Sequence, residues 1–312
     1  MAGNESKVLV ILAFGAIYIL WGSTYVAIIF GLKSFPPFLL GSLRYLLAGG
    51  ILYSWSAVNG ERILRWDSIK KNTIVGILTL IGGSFTLVWT EQYLPSGPAA
   101  IIVAALPIWF VVLDRKQWQN YFSGIYVIAG ILLGFIGILL LFGVSGKLKT
   151  EVLTGMQLLS AIIIMMGSVS FVIGSLYSKY HPSEGSNESK VSIQLLSSGA
   201  LLLLVSFLRG ELRHFSFSDV SLNSWLALLF LTIIGSVVTY NAYIWLLSKR
   251  APVLVGTYAY VNPVVAVLLG TWLANENLKT HHIIALGCIL IGVLLINLPK
   301  YSDLKQNKYA KY

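Results

Sequence analysis

The side chains able to do acid–base or metal chemistry are few in this sequence and poorly placed for it. All twelve Asp and Glu fall in polar segments or at the edges of long uncharged runs, with Glu91 and Asp114 closing two such runs and Glu276 just beyond a third. His281 and His282 are adjacent, so on a helix they point to different faces, whereas paired ligands need i, i+4 spacing. Cys288 is the single cysteine, which excludes an intramolecular disulfide and any cysteine-based metal cluster. No cofactor and no metal is expected, and an embedded hydrolase would lack its paired carboxylates, histidine cluster or activated nucleophile. What remains is the chemistry of binding. Trp21 and Tyr25 are four residues apart on one helical face, as are Tyr258 and Asn262. Tyr240, Asn241 and Tyr243 form a polar-aromatic cluster, Ser84 and Ser168 add hydroxyls, and Arg44 is one cation inside an apolar run.

The elements that must position these residues are membrane spans. Of 312 residues, 56% are hydrophobic and 11% charged, against roughly 25% charged in a soluble domain. Runs long enough to cross about 30 Å of hydrocarbon predict ten helices: Val8 to Ile28, Phe38 to Val58, Thr73 to Glu91, Gly97 to Leu113, Phe122 to Phe142, Leu153 to Tyr177, Val191 to Leu208, Ser224 to Leu247, Val253 to Trp272 and His281 to Leu298. The net charge of +10 would suggest nucleic acid in a soluble protein, but its placement points to a bilayer. With the N-terminus cytoplasmic, the N-terminal segment, the even-numbered loops and the tail hold fifteen of the 22 Lys and Arg, as the positive-inside rule requires of a chain with both termini in the cytoplasm. The expected partners are therefore a small-molecule substrate and the lipid bilayer, without nucleic acid, and the basic tail is read as a membrane-surface feature attracted to anionic lipid. Twenty-five uncharged residues separate Lys7 from Lys33, too long a run for a secretory signal and suited to a retained span. The glycosylation patterns at Asn4 and Asn187 would face the cytoplasm and are read as chance.

Ten spans divide five and five, as residues 1–146 and 147–312. Halves with an odd number of spans must insert in opposite senses, the inverted-repeat architecture of secondary transporters. A shift of 156 residues places Trp89 on Trp245 and Pro107 on Pro263, and FIGILLL from Phe135 resembles LIGVLLI from Leu290. Each proline lacks an N–H and crowds the carbonyl four residues back, here Val103 and Ala259. Those carbonyls should therefore face protein or a water-filled cavity, so Pro107 and Pro263 are read as helix interruptions with a gating role. The other aligned pair, Trp89 and Trp245, lies near the membrane surfaces and is read as an aromatic belt.

The segments WGSTYVA (Trp21 to Ala27), PPFLLGSLRYLLAGGIL (Pro36 to Leu52), SGPAAIIVAALPIW (Ser96 to Trp109) and VNPVVAVLLGTWLANENL (Val261 to Leu278) resemble the drug/metabolite transporter superfamily in its ten-span EamA-type branch. The resemblance covers nearly the whole chain and implies two inverted five-helix halves around a central cavity that works by alternating access. One departure is that the fourth span runs into DRKQWQN where the family usually carries a longer helix with a Gly-Glu pair; Asn275-Glu276 keeps something close after the ninth.

These readings converge on an all-α, multi-pass, non-enzymatic transporter of the plasma membrane exporting an amino acid or related amphipathic metabolite. Trp21, Tyr25, Arg44, Ser84, Ser168, Tyr240, Tyr243, Tyr258 and Asn262 are the expected substrate contacts. Arg44 has two readings: a functional intramembrane charge with Glu91 as partner, or a side chain that snorkels to the interface. With no carboxylate in mid-span, facilitated or exchange transport is expected over proton coupling. Multidrug efflux, and a non-transporting scaffold or sensor subunit, remain as alternatives.

Overall fold

The computed structural model describes residues 7–61, 65–93, 99, 102–122, 125–143, 155–213, 215–265 and 283–296, with side chains given through residue 140 in the 125–143 helix. Every regular element among them is helical. Apart from short helical turns such as Arg115–Gln117, Trp118–Phe122, Glu211–Arg213 and Phe217–Asp219, they are in chain order α1 (Lys7–Leu32), α2 (Pro37–Val58), α3 (Trp66–Thr90), α4 (Leu106–Leu113), α5 (Ile125–Gly143), α6 (Gly155–Tyr180), α7 (Asn187–Leu208), α8 (Leu222–Lys249), α9 (Pro252–Gly256, continued by 258–265) and α10 (Ile283–Ile296). Five of these, α1, α3, α6, α7 and α8, are long and apolar enough to cross a bilayer. Their outer faces carry exposed Ile11, Leu12, Ile19, Leu204, Phe207 and Leu229, an apolar exterior that suits hydrocarbon as solvent. The expected spans differ from the helices chiefly at their ends: α3 begins at Trp66 rather than Thr73, because Lys70 and Lys71 continue its first turns. His281, His282, Asn275, Glu276 and Asn4 lie outside the described residues.

The contacts between α2 and α7 are reciprocal. A Cβ on Gly49 would lie 2.9 Å from the backbone nitrogen of Leu196, and one on Gly199 would lie 2.9 Å from that of Leu46. Residues 46 and 196 differ by the same 150 positions as 49 and 199, so each helix inserts the same residue into the other's glycine notch. The loops repeat the exchange. Gly60 and Gly210 adopt φ of 75° and 74°, the left-handed conformation that a helix end favours in glycine, and each is followed by a glutamate. Glu61 accepts hydrogen bonds from Ser56 (2.7 Å), Ser186 (2.7 Å) and Ser189 at the start of α7. Glu211 accepts from Ser206 (2.7 Å) and from the amides of Leu39 (2.9 Å) and Phe38 (3.3 Å) at the start of α2. Carboxylates are favoured at helix N-termini because unpaired amides and the helix dipole concentrate positive charge there. At α5 and α10 the pattern recurs with a shift of 155: Gly137 approaches Ala285 and Ile289, and Gly292 approaches Gly130 and Gly134. Contacts in which i meets j and j meets i are those of a two-fold relation.

Hydrogen bonds from Ser189, Ser186 and Ser56 hold the Glu61 carboxyl below its ordinary value of 4.5. A depressed folded value contributes stability above pH 4.5 that is lost as pH falls through the folded value. The melting temperature of the wild type should therefore drop on acidification below pH 4.5, relative to that of Glu61→Gln. Parallel curves for the two proteins would show that the clasp does not stabilise the fold.

Three of the long helices widen to π geometry in mid-course: Ala16–Leu20 in α1, Ile77–Phe85 in α3 and Leu231–Tyr240 in α8. In α8 the hydroxyls of Ser236 and Thr239 bond carbonyls five residues back, at 3.2 and 2.6 Å. The proline helices are broken, although not at matching places. The turn at 104–105 precedes α4, so Pro107 stands in its first turn, where a missing N–H costs nothing. In α9 the break falls at Thr257, and Pro263 lies within the helical segment that follows.

Candidate functional site

The π segment of α3 and the two broken helices border one cavity of about 80 Å³, enough for several waters or a small solute. Its lining comes from α1 (Trp21, Thr24, Tyr25, Ile28), α2 (Arg44), α3 (Gly83, Ser84, Thr86, Leu87), α6 (Ile164, Gly167, Ser168, Phe171) and α9 (Tyr258, Asn262), with Val103 and Leu106 beside the break before α4. Among the expected contacts, Trp21, Tyr25, Arg44, Ser84, Ser168, Tyr258 and Asn262 are brought together here. Tyr240 and Tyr243 are not among the lining residues. The Tyr240 hydroxyl is committed to Thr79 (2.7 Å) and to the Gln194 carbonyl (2.7 Å), and that of Tyr243 to Ser175 (2.6 Å). Both rings are instead buried among α3, α6, α7 and α8, where their hydroxyls satisfy polar groups in the helix interior.

The cavity has an aromatic floor. It is formed by Trp21, Phe171 and Tyr258, with Trp21 4.7 Å from Tyr258 between ring centroids, and Tyr243 backs it from outside the lining at 5.3 Å from Trp21, 5.3 Å from Phe171 and 5.8 Å from Tyr258. Beneath it Tyr18 bonds Thr257 at 2.6 Å, at the break in α9. The space above the floor extends along α1 to Ile28 and along α3 to Leu87. The chamber therefore lies toward the C-terminal ends of these two helices and is sealed on the side of Lys7.

Arg44 is buried, at 7% exposure, so it does not snorkel. Its Nε donates to Ser236 Oγ at 2.8 Å in the π segment of α8, and the ring of Tyr45 lies 5.3 Å from its guanidinium carbon. Gly235 makes room for the fork, since a Cβ there would lie 2.8 Å from Nη2. Among the described residues no carboxylate pairs with Arg44, whereas Arg65 pairs with Glu184 at 3.6 Å. The expected partner, Glu91, stands one turn past Leu87 with its Oε2 buried and without a hydrogen bond. Glu91 therefore does not serve as the counter-charge of Arg44 in this structure.

Asn262 links two irregular helices. With its amide nitrogen turned toward the acceptors, its two N–H groups face the carbonyls of Ile17 (3.1 Å), Tyr18 (3.0 Å) and Tyr258 (3.2 Å). The first two lie in the π turn of α1, so one side chain ties the widened helix to the broken one. The departure noted after the fourth span also has a structural counterpart. Asp114, at the end of α4, is buried and accepts from Tyr121 (2.8 Å) and Tyr180 (2.5 Å), a terminal contact made by a side chain of the DRKQWQN segment. Asn187, at the start of α7, donates to the Asn241 carbonyl at 2.9 Å.

Sequence reasoning missed Phe171 and Ser236. Phe171 lies three residues past Ser168 and could have been found by spacing; Ser236 gains its role from a π turn, which leaves no local signal. It also missed the S-x-x-x-G-E segments at Ser56–Glu61 and Ser206–Glu211, which are plain in the sequence.

The chain was compared with known proteins on this basis. The EamA-like transporter family matches it twice, over residues 8–143 and 157–298. It is 35% identical over 291 residues to the uncharacterized inner membrane transporter YedA of Escherichia coli K12, covering 93% of this chain and 90% of the relative. Another E. coli K12 protein, named a probable amino-acid metabolite efflux pump, is 21% identical over 289 residues, covering 89% and 91%. A solved crystal structure shares the fold with a TM-score of 0.75 at 19% identity, over 94% of this chain and 98% of that one. The apolar helices, the reciprocal contacts and the two family matches agree: this chain is a multi-pass plasma-membrane protein that belongs to the EamA-like transporter family.

Proposed function

We propose that the protein exports a small amphipathic metabolite bearing a carboxylate, such as an amino acid or a related compound, by alternating access and without enzymatic chemistry. In this reading ten spans form two inverted halves, residues 1–146 and 147–312, with both termini cytoplasmic and the chamber above the aromatic floor as the substrate site. The observation that carries it is Arg44: a guanidinium buried against the cavity, held through Nε alone, with no carboxylate paired to it among the described residues. A buried cation without a partner is costly, and a substrate carboxylate would supply bidentate acceptors matched to its fork. Trp21, Phe171 and Tyr258 would hold the apolar part, with Tyr25, Ser84 and Ser168 offering hydroxyls.

Multidrug efflux is the second reading. The aromatic floor favours it, since ring faces also attract organic cations. Counterflow in proteoliposomes separates the two. Exchange of amino acids but not of cationic drugs supports metabolite export, and the reverse supports efflux. Silence across both panels points to the third possibility, a scaffold or sensor subunit.

A further inference from the structure

At the end of the bundle where α6 and α8 finish, four helices each place an ammonium on one groove of about 370 Å³: Lys71 of α3, Lys179 of α6, Lys190 of α7 and Lys249 of α8. No Asp or Glu lines this groove. Glu61, held by three serines, attracts Lys190, and Asp114, held by two tyrosines, attracts Lys179, so each offsets part of the positive charge from outside the lining. Lys179 donates to the carbonyls of Ser248 (3.2 Å) and Arg250 (3.1 Å) and so fixes one wall. Converging like charges favour an anion between them.

The other wall is apolar. Trp245 and Val75 line the groove, and Ile74 and Ile77 lie exposed beside Val75 on the outer face of α3. A tryptophan at the edge of a span marks the headgroup level of a bilayer, so the groove is open both to an anion and to the chains attached to it. We propose that it binds the phosphate headgroup of an anionic phospholipid, with the acyl chains descending past Trp245 along α3. Basic pockets between spans recognise headgroups in this manner.

The test compares the purified protein in bilayer nanodiscs of phosphatidylcholine with and without phosphatidylglycerol, reading the melting temperature and the phospholipid retained on extraction. Phosphatidylglycerol should raise the melting temperature of the wild type, and retention should fall about fivefold for each of Lys71→Gln and Lys190→Gln. Lys33→Gln, which removes the same charge elsewhere, should leave retention unchanged, and Lys71→Arg should preserve it. Equal retention in wild type and both glutamine variants would overturn the site. Reproduction of the thermal shift by inorganic phosphate in phosphatidylcholine discs would overturn the lipid as its source.

Discussion

Replacing Arg44 with glutamine is expected to weaken transport of a carboxylate substrate by about 10- to 150-fold, the equivalent of the 1.5–3 kcal/mol that a charged hydrogen bond contributes. The variant should fold, because it removes a buried charge whose one hydrogen-bonding tie is to Ser236. Arg44→Lys keeps the charge but loses the planar fork, and a lysine cannot hold Ser236 and a bidentate carboxylate together. It should therefore resemble glutamine more than wild type. Counterflow at matched protein density measures both. Wild-type rates in Arg44→Gln would remove the guanidinium from substrate recognition and leave its burial unexplained.

Asn262→Leu is expected to damage the fold rather than the transport step alone. The two N–H groups of the amide serve carbonyls in the bundle interior, and each acceptor left unpaired costs about 1–3 kcal/mol. The loss is comparable with the whole stability of many domains, so little monodisperse protein should be recovered. Tyr258→Phe provides the contrast. It keeps the ring that packs 4.7 Å from Trp21 and removes a hydroxyl at the cavity, so it should fold normally and change substrate affinity alone. Normal recovery of Asn262→Leu, by fluorescence size-exclusion chromatography, would contradict the structural role.

Composition and the long uncharged runs made the helical membrane class legible, since neither depends on tertiary context. The cavity residues were legible wherever polarity inside an apolar run is itself the signal, as at Arg44, Ser168 and Asn262. Tyr240 and Tyr243 gave the same signal and stand outside the lining, because a buried hydroxyl is equally satisfied by a neighbouring helix, here through Gln194, Thr79 and Ser175. The prolines signalled that helices four and nine are interrupted but not where. Pro107 opens a helix while Pro263 sits inside one, and the break in α9 depends on Thr257 and its contact with Tyr18. Pairing of Arg44 with Glu91 was the natural electrostatic expectation. It fails in the structure, where Arg44 turns its Nε to Ser236 in the π segment of α8 and makes no ion pair with Glu91.

The central claim, that the chamber beside Arg44 takes a solute through its carboxylate, is tested most directly by competition in proteoliposomes. Counterflow of an aromatic amino acid would be challenged with excess of the same compound or of its carboxamide, which differs only in the group that meets the guanidinium. The account predicts that the acid competes and the amide does not, and that Arg44→Gln erases the distinction. Equal competition by acid and amide in the wild type would contradict it.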